Sequence, residues 1–144
     1  SKGEKIPQQI DNVEELALLT TALMIEVAKS DGIIHDKELQ IIVNILISQF
    51  EISQDRANEI INDEIVKSEN RIELHSIIQK LREKCNYEDR LVVLEYIWMI
   101  VLADENLDHL ESNLMRRLSG LLFISDKDAG IISKKVKDTF KNLK

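Results

Sequence analysis

The chain contains little that would break a helix or cross-link one. It has a single proline, Pro7, and only four glycines in 144 residues, so nothing after residue 7 interrupts a helix by ring geometry. The lone Cys85 excludes an intramolecular disulfide and gives no sign of an oxidising compartment. A secretory leader is also missing from the start, SKGEKIPQQI, which is polar and lacks an initial Met. Ser1 is therefore expected to be a processed or engineered end, and a cytoplasmic location is expected. Basic charge is short. The net charge is −7, with 7 basic against 14 acidic residues in 1–72 and 12 of each in 73–144. Such a balance disfavours nonspecific nucleic-acid binding, which needs Lys and Arg to neutralise phosphates, and suits cations or basic partners.

What is present is an apolar run, Leu91 to Ala103, in which Glu95 is the one charged residue among thirteen. It is too short for a bilayer, which needs about 20 residues. A helix apolar around most of its circumference must be covered on all sides, so it is expected to be the central helix. The apolar residues recur at spacings of three and four, which predicts an all-α protein despite the many isoleucines. The length suits one domain with a self-sufficient core, spanning 1–144 with residues 1–11 flexible.

Helix one is predicted from Val13 to Ser30, with Val13, Leu16, Leu19, Leu23 and Val27 inward, ending at Asp31-Gly32. Helix two spans Asp36 to Gln49 or Phe50 and is apolar on most faces. Ser53 caps a third helix with Ala57, Ile60, Ile61 and Ile65 inside and Glu59, Asp63 and Glu64 in solvent. A fourth runs from Ile72 to Cys85 and places Cys85 on its apolar stripe, with His75 exposed. Asn86 and Tyr87 mark a break before the central helix, which opens with Glu88 and Asp89. Helix six is predicted from Asp108 to Leu122, and helix seven from Ser125 or Asp126 to the end.

The two halves resemble each other. Asp31-Gly32-Ile33-Ile34-His35-Asp36-Lys37-Glu38 aligns with Asp104-Glu105-Asn106-Leu107-Asp108-His109-Leu110-Glu111, and Ile52-Ser53 with Ile124-Ser125. Two pseudo-repeats, about 13–68 and 87–141, are expected to pack face to face. The first turn also matches the second half of an EF-hand loop, but Val27 and Lys29, and in the second copy Ile100 and Leu102, stand where oxygen ligands are needed. An ordinary EF-hand site is therefore excluded.

These turns allow two readings. His35 or Asp108 followed three residues on by Glu38 or Glu111 has the layout of a capping box, and Asp31 and Asp104 suit turn N–H groups. The same acids, with His35 and His109 nearby, are candidates for a divalent cation. No nucleophile and base are paired by spacing, and no Gly-rich phosphate loop is present, so an enzyme is not expected. Glu95 is predicted at a helix edge or paired with Arg90, Arg116 or Arg117. The stretch Ser133–Lys144 has five Lys against one Asp, with Ile132, Val136, Phe140 and Leu143 on one side. That makes it a candidate for contact with an anionic membrane or acidic partner, although lysines there also complement the helix dipole.

The run Ala22-Leu23-Met24 through Ala28-Lys29-Ser30-Asp31-Gly32 to Glu38 is repeated as Trp98 through Ala103-Asp104 to Glu111, followed by Phe123-Ile124-Ser125. Together with Asp89-Arg90 ahead of the central helix, it resembles the tellurite-resistance TerB-like family, which includes the amino-terminal domain of the co-chaperone DjlA. The resemblance implies a single compact bundle of about seven helices in a bacterial stress-response system, with a protein partner and no enzymatic activity. It also implies a divalent cation held by Asp31, Glu38, Asp104 and Glu111, with no other cofactor. Glu105 stands where the family pattern usually has Gly, so the two turns are not expected to be equivalent. No DnaJ segment is present in residues 1–144, so the co-chaperone activity is not carried over. The expected function is a non-enzymatic interaction module modulated by that cation. The alternatives are a dedicated metal sensor and an uncharacterised enzyme.

Overall fold

The computed structural model describes residues 13–69, 74–103 and 109–142, with side chains for all of these except 31, 109–112, 141 and 142. The described residues form helices α1 Val13–Ala28, α2 Asp36–Phe50, α3 Gln54–Glu69, α4 Leu74–Lys84, α5 Tyr87–Ala103, α6 His109–Leu121 and α7 Asp126–Asn142, with a 3-10 turn at Lys29–Asp31. No strand occurs among them. The all-α bundle of seven helices is as the 3.6-residue periodicity predicts.

Two helices, not one, organise the bundle. α5 packs on α1, α2, α6 and α7, whereas α1 packs on α2, α3, α4 and α5. α1 buries ten of its 16 residues and α5 eight of its 17. The expected single stripe on α1 is too narrow: Val13 and Leu19 are only half-buried, while Ala17, Thr20, Thr21, Ala22 and Ala28 are buried. Small residues on several faces let neighbouring helices approach closely all round, a property that a hydropathy stripe under-reads.

α2 departs from expectation in the other direction. Its buried residues are Glu38, Ile42, Ile45, Leu46 and Phe50, whereas Ile41 and Val43 are half-buried and Ile47 is exposed. On α3, Glu59 and Asp63 lie in solvent as predicted, but Glu64 is buried, with Lys67 Nζ 3.7 Å from its Oε1. Cys85 is a core residue and His75 is exposed, both as predicted.

The joints between α2 and α3 and between α6 and α7 are built alike. Each helix stops on a non-glycine residue in the left-handed region, Glu51 at φ 58° and Phe123 at φ 57°. The following isoleucine returns its N–H to the helix, Ile52 to Leu46 O at 3.1 Å and Ile124 to Ser119 O at 3.0 Å. Next comes a serine cap: Ser53 Oγ accepts from Arg56 N and Ser125 Oγ from Asp128 N, each at 3.2 Å. The second acidic turn, 104–108, lies outside the described residues.

Arg90 gathers the ends of three helices. Its Nε donates to Leu122 O at 2.8 Å and its Nη1 to Cys85 O at 2.9 Å. It thereby satisfies carbonyls just past the ends of α6 and α4 from the first turn of α5. Arg82 Nη1 donates to Leu121 O at 2.7 Å. Tyr87 Oη donates to Asp128 Oδ2 at 2.6 Å and so draws the start of α7 to the same point. At the start of α1, Glu14 pairs with Arg56 of α3, and Glu15 with Lys84 of α4 at 3.1 Å.

Candidate functional site: a groove over the central helix

The first acidic turn is seen in part. After the 3-10 turn, Gly32 takes φ 99° and its N–H returns to Lys29 O at 2.8 Å, a conformation that favours glycine. Lys29 Nζ donates to Ser68 O at 3.0 Å and Ser68 Oγ at 3.1 Å, which ties the turn to the end of α3. Glu38 is at the third position of α2, is buried, and accepts the His35 N–H through Oε1 at 2.9 Å. The capping role drawn from the spacing of His35 and Glu38 is thus present. The side chains of Asp31 and Glu111, and all of Asp104, lie outside the described residues, as does the side chain of His109. Among the described residues, no group of three or more His, Cys, Asp and Glu side chains is placed to hold a metal ion.

The central helix carries a second site. α2 and α7 both rest on α5 without packing extensively on one another, and the gap between them is a groove of about 400 Å³. Its walls are Ile41 and Ile45 of α2, Tyr96 and Met99 of α5, and Val136 and Phe140 of α7. Asn44, Ser48 and Gln49 line the α2 side, and Lys135 and Thr139 the α7 side. Glu95, the lone charge of the apolar run, lies here, but its partner is none of the three predicted arginines. Lys135 Nζ donates to Glu95 Oε1 at 3.0 Å. The Glu95 side chain is 15% exposed and that of Lys135 54%, so the pair marks the junction of the apolar floor with solvent. Tyr96 Oη stands 3.5 Å from Gln49 Oε1, at the outer limit of a hydrogen bond, and the Tyr96 ring meets Phe50 in a tilted pair 6.3 Å apart.

Sequence reasoning singled out Glu95 but missed the groove. The available signal was Ile41 with Ile45 and Val136 with Phe140, two i, i+4 apolar pairs, yet nothing local says that both overhang the same stretch of α5. On α7, Ile132 and Val136 are buried and Phe140 is half-buried against the core. No helix among the described residues is long and apolar enough to cross a membrane.

Two buried titratable groups sit at the start of α5. Burial, with the charge of Asp89 added and that of Arg90 opposing, pushes the Cys85 thiol up to about 12. The thiol therefore stays protonated at neutral pH, without the thiolate that a nucleophile needs. Burial also raises the Asp89 carboxyl above the usual range, opposed by a hydrogen bond with Asn86 and reinforced by Glu88. Asp89 is 1% exposed.

Neither the curated proteins nor the solved structures yield a match to this chain. The family model described as Tellurite resistance protein TerB does match, over residues 17–134, from the second turn of α1 into the middle of α7. That span takes in both hub helices, the first acidic turn, the Arg90 junction and most of the groove, and the chain belongs to the TerB family.

Proposed function

We propose that this TerB-family chain is a non-enzymatic, tellurite-resistance-related interaction module, and that the α2–α5–α7 groove receives an apolar side chain of a partner protein. The carrying observation is the groove itself. Six apolar or aromatic side chains from three helices form a concavity of about 400 Å³, within the range of small binding pockets and large enough for a buried anchor residue. Glu95 and Lys135 at its rim neutralise each other. That arrangement favours shape and apolar contact over proton transfer.

A photo-crosslinking residue at Ser48, exposed on the groove wall, should capture one discrete protein in the host cell. The same residue at Asp63, exposed on α3, should not. No capture from Ser48, or equal capture from both positions, overturns the reading.

The proposal includes a divalent cation at Asp31, Glu38, Asp104 and Glu111 as a modulator. Its support is the family resemblance of the two acidic turns. A cation at about 100 times its dissociation constant adds about 2.7 kcal/mol, equivalent to roughly 8 °C in a melt of chelator-treated protein. That shift should vanish in the Asp31→Asn, Asp104→Asn double variant. A melt unmoved by calcium, magnesium, manganese and zinc removes the cation and leaves the acids as helix caps.

A further inference from the structure

A second concavity lies on the other side of α7, and nothing in the proposed groove function uses it. Between α5, α6 and α7 is an open cleft of about 540 Å³ lined by Trp98, Met115, Arg116, Ser119, Gly130 and Lys137. The sequence explains the space. Ser119 on α6 faces Ala129, Gly130 and Ser133 on α7, so small side chains meet where two larger ones would close the gap. A Cβ built at Gly130 would meet nothing within 4 Å. The interior side is apolar, with Met115 2% and Trp98 7% exposed.

The outer side carries positive charge. Lys137 Nζ stands 5.0 Å from the centre of the Trp98 ring, a distance at which an ammonium is held by the ring's electron-rich face. Arg116 is exposed on the opposite wall. One carboxylate, Asp126, also lines the cleft. It begins α7, eleven residues before Lys137, and a helix rises about 1.5 Å per residue, so it sits some 16 Å along the axis from Lys137.

We propose that this cleft binds a small organic anion with a flat apolar portion. The ring would take the place of the Lys137 ammonium over the Trp98 ring, while its phosphate or carboxylate is held by the displaced Lys137 and by Arg116. An arginine and a lysine on facing helices supply a fork and a point charge for one anionic group. The aromatic floor gives the remainder of the ligand an apolar surface that inorganic phosphate would not use.

The test exploits the single tryptophan, whose indole N–H gives one NMR signal from the floor of the cleft. 1-Naphthyl phosphate should bind saturably by calorimetry with a Kd below about 1 mM and move that signal. Neutral 1-naphthalenemethanol and inorganic phosphate should each bind at least about tenfold more weakly. The Arg116→Gln, Lys137→Gln double variant should lose about tenfold or more in affinity with its melt unchanged. Gly130→Leu, which fills the cleft and removes a helical glycine, should abolish binding without lowering the melting midpoint. No saturable binding of 1-naphthyl phosphate up to about 10 mM, equal affinity for inorganic phosphate, or an unchanged affinity in the double variant each overturns the proposal.

Discussion

Arg90→Ala should destabilise the chain by about 3 kcal/mol, because two carbonyls lose a charged donor at once and hydrogen bonds to charged groups contribute about 1.5–3 kcal/mol each. The melting midpoint should fall by roughly 10 °C for a chain of this size. The carbonyls belong to Leu122 and Cys85, which are 0% and 5% exposed, so water cannot readily replace the guanidinium. Arg90→Lys is the sharper test. A lysine ammonium is a compact point charge and lacks the planar fork that reaches two acceptors in different directions, so it should recover less than about half of the loss. Arg116→Ala, on an exposed residue of α6, should change stability by less than about 0.5 kcal/mol. Chemical denaturation of the three variants decides the matter. If Arg90→Ala costs no more than Arg116→Ala, the junction of α4, α5 and α6 is not held by this side chain.

Arg90 also shows where reading the sequence stops. Asp89-Arg90 is visible as a mark of the family, and its place at the opening of an apolar helix follows from the charge pattern. Its work, however, depends on carbonyls five residues before it and 32 after it, and no periodicity carries that information. Glu95 and Lys135 are likewise 40 residues apart, so the sequence offers nearer arginines and misleads. Signals confined to one turn of chain fared better. The spacing of His35 and Glu38 predicts the cap that is seen, and Ser53 caps α3 as expected. The hub role of α1 was hidden for a different reason: Thr20 and Thr21 read as polar breaks in a stripe, yet both are fully buried. The groove arises from how α2 and α7 lie on α5 and the cleft from how α7 lies on α5 and α6, tertiary relations with no local signature.

Asp89 carries the second large effect, and its sign reverses the usual one for a carboxylate. An aspartate with a helix partner holds its proton less tightly when folded, whereas burial raises Asp89, 1% exposed, above the ordinary carboxylate range against the pull of its hydrogen bond with the Asn86 backbone. The folded chain therefore binds this proton more tightly than the unfolded chain. Its contribution to stability is present at acid pH and is lost as pH rises from the ordinary Asp value through the raised folded value. Asp89→Asn mimics the protonated group and keeps the backbone N–H that donates to Asn86 Oδ1 at 2.8 Å. The variant should match the parent near pH 4 and exceed it at pH 8 by about 1 kcal/mol, the low end of what an incompletely satisfied buried polar group costs folding. The dipole at the start of α5 works against this, since it favours negative charge in the first turn by about 0.3–1 kcal/mol, as does the hydrogen bond with the Asn86 backbone, but burial is the larger cause. Denaturant melts of parent and variant at the two pH values separate the terms. A variant less stable than the parent at pH 8 would mean that the helix end outweighs burial and that Asp89 is a conventional first-turn acid. A gap that opens with rising pH would identify it as a buried acid that the fold tolerates at a cost.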